Sequence, residues 1–217
     1  MNLAVIGLGQ FGSALALELK KLKHHVTAMD SNPKAVARVQ DVVDQAVVAD
    51  CTDRSLLEEL GLNLVDGAVI SLGDHLGASI LTTLHLKEMG VGRIVAKAVS
   101  PEHEKILKRV GAGEVVFPER DAAERLARSL ADPNLLDYLP IGGEFSVAEV
   151  APPDALVGKS LADLGLRQNF GVNVIAVREL VPERTHLVPP ADYVIKDSDV
   201  LVVAGRQEDL ERLRQAK

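Results

Sequence analysis

From Leu3 to about Ser129 the chain repeats one alternation: a short, nearly continuous aliphatic run, then a longer stretch with apolar residues at helical spacing. The runs are LAVIG, HVTAMD, QAVVAD, GAVISLG, RIVAKAV and EVVFP. Strands that alternate with helices in this way build βαβ units. Strands that are apolar along their whole length belong in a sheet covered on both faces. The expected fold class is therefore α/β, a doubly wound parallel sheet of six strands. Between the runs, SALALELKKL places Leu15, Leu19 and Leu22 on one helical face, and ASILTTLHLKEM does the same with Ile80, Leu81, Leu84 and Met89. Those stripes read as core.

The alternation stops where Pro133, Pro140 and the pair Gly142-Gly143 interrupt helix and announce a connection. A domain boundary is expected near Tyr138, giving units 1–138 and 139–217. Beyond it FSVAEVAPP, NVIAVREL and DVLVVAG read as strands and SLADLGLRQN as a short helix. RQEDLERLRQAK reads as a terminal amphipathic helix with Leu210 and Leu213 inward. The second unit is expected to be a small α+β lobe.

Composition removes several function classes. Aromatic residues make up 3% of the chain and tryptophan is absent, which suits an aliphatic α/β core. A formal net charge of -7 without a basic block would repel phosphate backbones, so nucleic acid is not an expected partner. No apolar run reaches the roughly 18–20 residues that span a bilayer, and the opening MNLAVIGLGQ lacks a basic leader region. A soluble, cytoplasmic protein is expected. Cys51 is the only cysteine, which excludes an intrachain disulfide and reads as a small loop residue. The six histidines show no metal-ligand spacing.

The residues that carry chemistry begin in the first turn. Gly7, Gly9 and Gly12 form G-x-G-x-x-G directly after a strand and at the start of a helix, the context that gives this motif its meaning in a Rossmann-type fold. Gly7 permits a tight turn, Gly9 lets a pyrophosphate approach the backbone, and Gly12 allows close helix packing. The helix N-terminus then faces the phosphates. Asp30 closes the second strand, where an acid accepts ribose hydroxyls and repels a 2'-phosphate, favouring an adenosine ribose or NAD over NADP. Two more loops follow strand ends. VADCTD offers Asp50 and Thr52 to an adenine edge, and SLGDHLGAS offers Gly73 for backbone approach and Ser71 or Asp74 as caps. The simpler alternatives are glycines kept for packing, Asp30 as the cap of the helix in SNPKAVARV, and loop residues used only in turns and caps.

An oxidoreductase would need a second lobe that holds substrate, with an acid or base in the cleft. In the second unit the sequence suggests no histidine-carboxylate pair and shows no nucleophile motif. His75 and His103 are the only candidate general bases near strand ends, so no catalytic residue is assigned and a binding protein is expected over an enzyme.

Taken together, VIGLGQFG, AMD, VVADCTD, ISLGDHLGASILTTLHLKEMG and RIVAKAVSPEHEKILKRVGAGEVVFPERDAAERLA resemble the RCK family. This family comprises the cytosolic regulatory subunits and domains of bacterial potassium transporters and channels, here of the KtrA/TrkA type. SLADLGLRQNFGVNVIAVRELVPERTHLVPPADYVIKDSDVLVVAG resembles the family's C-terminal lobe, so the likeness covers nearly the whole chain. The resemblance implies a protein without a reaction of its own. Such subunits form homodimers and then rings, commonly octameric, seated peripherally on the inner face of the cell membrane against an ion-conducting subunit of the KtrB/TrkH type. ATP, ADP or NAD(H) in the N-terminal lobe changes the ring's shape and so the opening of the channel.

By motif, the stretch Gly7, Leu8, Gly9, Gln10, Phe11 and Gly12 would cradle phosphates, Asp30 the ribose, and Asp50 and Thr52 the base. Lys97 would lie near the site, and Glu119 matches an acid that binds a divalent cation, Mg2+ or Ca2+, with the nucleotide. Close relatives often carry arginine where this chain has Gln10, and an amide makes weaker hydrogen bonds to a phosphate than a guanidinium. Some relatives bind cyclic di-AMP in the C-terminal lobe, where Arg167, Asn173 and the Pro189-Pro190 turn occupy resembling positions. The alternatives are an NAD-dependent oxidoreductase and an RCK-type sensor of another cation transporter.

Overall fold

The computed structural model describes residues 1–73 and 75–216, so Asp74, named above as a possible cap, lies outside the described residues. The chain divides into two compact units, Met1–Glu119 and Arg120–Lys217.

All six anticipated runs of the first unit form strands: β1 (Asn2–Ile6), β2 (His25–Asp30), β3 (Gln45–Val48), β4 (Gly67–Ile70), β5 (Arg93–Lys97) and β6 (Glu114–Val116). They pair in parallel in the order β3-β2-β1-β4-β5-β6. The order reverses between β1 and β4, as in a doubly wound dinucleotide fold. Between the strands run α1 (Gln10–Lys21), α2 (Pro33–Ala37), α3 (Arg54–Glu59), α4 (Leu76–Glu88) and α5 (Pro101–Val110). Period-two alternation along each strand sends neighbouring side chains to opposite faces. Ala4, Ile6, Ala68, Ile70, Ile94 and Ala96 join one core with Leu57, Leu86 and Leu107 of the helices. Val5, Val26 and Ala28 join another with Ala16 of α1 and Val36 of α2. Helix starts are set by local chemistry: Asn32 accepts the Lys34 amide, Asp53 those of Ser55 and Leu56, and Ser100 that of His103.

Helix α6 (Pro118–Ala131) follows β6, and none of its residues is buried. In the second unit β7 (Leu135–Gly142), β8 (Phe145–Val150), β9 (Asn173–Leu180), β10 (Glu183–Leu187) and β11 (Asp199–Arg206) form an antiparallel sheet in the order β10-β9-β11-β8-β7. Tyr138, where the sequence suggested a boundary, lies within β7. The anticipated helix 160–169 is two short ones, α7 (Leu161–Leu164) and α8 (Leu166–Phe170), divided by Gly165 in the left-handed region at φ 50°. Helix α9 (Gln207–Arg214) closes the chain with Leu210 and Leu213 buried against Val177, Leu201 and Val203 of the sheet. The small α+β lobe is therefore present.

Candidate functional site

The crevice of the first unit lies at the carboxyl ends of the strands where β1 and β4 adjoin, the place an open α/β sheet presents to ligands. The three glycines there have different physical reasons. Gly7 leaves β1 at φ 92°, and its amide bonds back to the carbonyl of Met29 at 2.8 Å. A Cβ on Gly7 would stand 2.3 Å from the Ser71 carbonyl oxygen, and one on Gly12 would stand 1.9 Å from that of Gly7. The protein itself closes both positions to a side chain. Gly9 is open: a Cβ there would meet nothing within 4 Å, and its φ of -63° with ψ of -168° suits any residue. Internal packing does not require this glycine, whereas close approach of a phosphate to the backbone does. Gly9 is also the N-cap of α1 and makes no side-chain cap, so amides of the first turn remain available to an anion.

Asp30 is tied into the same turn. Its Oδ2 accepts the Leu8 amide at 2.6 Å and its Oδ1 the Asn32 amide at 2.8 Å. The cap of α2 is Asn32, so Asp30 does not serve as that helix's cap. A carboxylate has about four acceptor positions, so ribose hydroxyls can still bind beside the two amides. Sequence reasoning missed Arg38, whose Nη2 donates to the Leu8 carbonyl at 2.8 Å, beside the Ser13 hydroxyl on the same oxygen. The glycine turn is thus held at both the N–H and the C=O of Leu8. The Leu8 side chain is buried in the core. The Phe11 ring lines an apolar groove of about 310 Å³ with Leu3, Leu15, Leu19, Val69 and Val95. Leu8 and Phe11 therefore offer the crevice their backbones, while Gln10 is exposed at the first position of α1.

The remaining first-unit candidates lie at strand ends on the same edge of the sheet. Asp50 folds the loop after β3, its Oδ1 accepting the Thr52 amide at 2.9 Å and hydroxyl at 2.7 Å. Those two bonds hold its carboxyl below the usual range. Cys51 between them is buried, its carbonyl accepting the Thr82 hydroxyl at 2.9 Å, so the loop is anchored to α4. Burial pushes the thiol up, away from reactivity. Ser71 continues β4 with its amide on the Ile6 carbonyl at 2.7 Å, and Gly73 follows at φ 54°. Lys97, at the end of β5, forms an ion pair with Glu119 in the first turn of α6. The bond from Lys97 lowers the Glu119 carboxyl, keeping it charged. No group of three or more His, Cys, Asp or Glu side chains able to hold a metal occurs among the described residues.

His103 does not serve as a base in the crevice. It is 2% exposed, its Nε2 lies 3.2 Å from the Ser79 hydroxyl between α5 and α4, and burial lowers its pKa, so it stays neutral. His75 is the N-cap residue of α4 and exposed. In the second unit Arg167 is exposed on α8 and Asn173 opens β9. Two residues on, the Ile175 carbonyl accepts the Val188 amide at 2.9 Å, which brings β9 beside the Pro189-Pro190 turn.

Two family models match the chain, the TrkA-N domain over residues 3–118 and the TrkA-C domain over residues 146–217. The Ktr system potassium uptake protein C of Bacillus subtilis (strain 168) is 39% identical over 96% of this chain and 94% of its own length. The chain belongs to the KtrA/TrkA family of RCK regulatory subunits. The Ktr system potassium uptake protein A of the same organism is 34% identical over 96% of this chain and 93% of its own. These Ktr relatives are named as potassium uptake proteins and not as enzymes, which agrees with the reading of a regulatory family member. Among solved structures, the GsuK channel bound to NAD matches with a TM-score of 0.67 at 19% identity. That match covers 99% of this chain and 39% of the channel's, and it shows the shared RCK fold. No helix among the described residues is long and apolar enough to cross a membrane.

Proposed function

We propose that this Ktr-type subunit binds an adenine nucleotide, ATP, ADP or NAD(H), at the Gly7–Gly12 turn. Through the shape of a homo-oligomeric ring it then gates a membrane potassium-conducting subunit of the KtrB/TrkH type, from the cytoplasmic side. The observation that carries this is the open position at Gly9 beside two glycines closed by packing, with Asp30 already fixed to the turn they form. The family supplies the system; the crevice supplies the ligand class. Gly7, Gly9 and Gly12 with the first-turn amides of α1 take the phosphates, Asp30 the ribose, and Asp50 and Thr52 the base edge. To the exposed amide of Gln10 this reading assigns a terminal phosphate, and to the Lys97–Glu119 pair a divalent cation. A bound cation would have to compete with Lys97 for Glu119, and a bound phosphate with Glu119 for Lys97, which makes that ion pair the local contact that ligand identity changes. In the second unit Arg167, Asn173 and the Pro189-Pro190 turn form the corresponding reading for a cyclic dinucleotide.

A nucleotide shifts a ring between two shapes only by differential affinity. Taking a two-state ring from mostly closed to mostly open needs about 5.5 kcal/mol, or roughly 0.7 kcal/mol per site in an octamer. One hydrogen bond made in one shape and not in the other supplies that. The test is calorimetric titration of the full chain with ATP, ADP, NAD and NADH, with solution scattering of each complex. Binding of at least one adenine nucleotide, with ATP and ADP giving different scattering profiles, is the expected result. Failure of all four to bind would overturn the ligand assignment, and identical profiles with ATP and ADP would overturn gating by the terminal phosphate.

A further inference from the structure

Arg38, the residue that closes α2, reaches back to the glycine turn, where its Nη2 donates to the Leu8 carbonyl at 2.8 Å. A guanidinium fork is shaped for carboxylates, and the chain carries a net charge of -7, yet Arg38 enters no ion pair among the described residues. The same carbonyl oxygen takes the Ser13 hydroxyl at 2.8 Å. Leu8 is thereby fixed at three points: its amide on Asp30 Oδ2 at 2.6 Å, its carbonyl on Arg38 and Ser13, and its side chain in the core.

These contacts decide where the next amide points. A peptide bond is planar, and in the trans form its C=O and N–H point in opposite directions. The only cis peptide among the described residues is Val181-Pro182, so the bond between Leu8 and Gly9 is trans. With the Leu8 carbonyl drawn towards Arg38 and Ser13, the Gly9 N–H faces away from both. No acceptor of the protein meets that N–H among the described residues, and the side of Gly9 where a Cβ would stand is empty to 4 Å. A free donor and free space thus belong to one residue. Glycine admits φ of either sign, so the residue that lets a phosphate approach also lets the peptide before it flip. Something has to oppose that flip.

We propose that Arg38 is a positioning residue of the phosphate turn: it holds the Leu8–Gly9 peptide in the orientation that turns the Gly9 amide outward, and it acts through that peptide, not by contact with the ligand. The inference rests on the nucleotide reading above. A ligand that needs one of two orientations binds with an affinity reduced by the fraction of chains that hold it. Arg38 and Ser13 bond to one oxygen and so back each other up. Loss of either leaves most turns in the binding orientation, whereas loss of both releases the peptide.

The test is calorimetric titration of four full chains: the unaltered one, Arg38→Met, Ser13→Ala and the double variant. Methionine keeps a long apolar stem and removes every donor. The probe is whichever of ATP, ADP, NAD and NADH the unaltered chain binds most tightly, with adenosine, which has no phosphate, titrated alongside. Each single substitution is expected to weaken the nucleotide by roughly threefold and the double one by on the order of a hundredfold, well beyond the product of the two. Adenosine should bind all four proteins alike. Losses that simply multiply would overturn the proposal, because they would mean that Arg38 meets the ligand independently of the Leu8 carbonyl. An equal fall for adenosine would overturn it too, as the mark of a loosened crevice. Failure of the unaltered chain to bind any of the four nucleotides would overturn the nucleotide reading and this inference with it. Binding that the double variant keeps at full strength would overturn this inference alone.

Discussion

Replacing Gly9 with alanine separates folding from ligand binding, because the added carbon meets no protein atom within 4 Å and the backbone is already in a region alanine accepts. Two small effects on stability oppose each other. A Gly-to-Ala change at a compatible conformation stabilises by about 0.4–1 kcal/mol through the unfolded chain, whereas alanine at an N-cap costs a few tenths to about 1 kcal/mol relative to glycine. The net effect should fall within about 1 kcal/mol, a Tm change of no more than about 4 °C for a chain of this length. The ligand faces a different situation. If the methyl holds a phosphate away from two backbone amides, and each charge-assisted bond is worth about 1.5–3 kcal/mol, affinity falls by roughly 3–6 kcal/mol, or about 10²- to 10⁴-fold. Calorimetry with ADP reads the affinity and thermal melts read the fold. At ligand concentrations about 100 times Kd the unaltered chain gains about 2.7 kcal/mol, and the variant should gain almost none. A Gly9→Ala protein with an unchanged melt and unchanged ADP affinity would refute the assignment of this turn to phosphate.

Gly12→Ala should behave in the opposite way, since its Cβ would stand 1.9 Å from the Gly7 carbonyl oxygen. Overpacking of this kind costs about 1–3 kcal/mol or more, and the thermal midpoint should drop by roughly 3–10 °C without ligand present. Asp44 is held at about 2 by the Lys20 ammonium and the Val26 amide, below its ordinary 3.8. Its contribution is full above the unfolded value and is lost as pH falls towards the folded one, so Asp44→Asn should be less stable than the parent at pH 5 in urea melts, with the gap closing towards pH 2. His103 has the depressed pKa of a buried base, so the unfolded chain binds its proton first as pH falls below 6.5. The urea midpoint of the first unit's transition should therefore decline from pH 7.5 to pH 5, and His103→Gln should flatten that slope.

The strands of the first unit were legible because both of their faces are covered, which forces continuous apolar runs that no helix of that length would need. The edge strands of the second unit were not. In β10, ERTHL, only His186 is less than fully exposed, and the strand forms because its backbone completes β9. In β7, Pro140 and Gly142 read as interruptions, yet an edge strand tolerates a residue without an N–H. Gly7, Gly12 and Asp30 were readable because a turn, a close approach and an acceptor each demand one residue type. Arg38 was not, because it acts through the carbonyl of Leu8, thirty positions away, and no side-chain pattern records a backbone acceptor. The Lys97–Glu119 contact joins two positions each expected near the site, but neither expectation indicated that they would neutralise each other. The pairing of Glu179 on β9 with Asp199 on β11 follows from strand register, which a single sequence does not display.

Helix α6 has fourteen residues and buries none of them, although Ala122, Ala123, Leu126, Ala127 and Leu130 recur along one side of it. A segment of that length is only marginally helical in water without packing to support it. Its first turn holds the crevice-side acid Glu119, so order in the connector and charge at the crevice meet within a single turn of backbone. Any surface that shelters the alanine-leucine side also stiffens the footing of that acid. The helicity of this stretch, followed as protein is diluted, would then report on company kept by the molecule as much as on its own temperature.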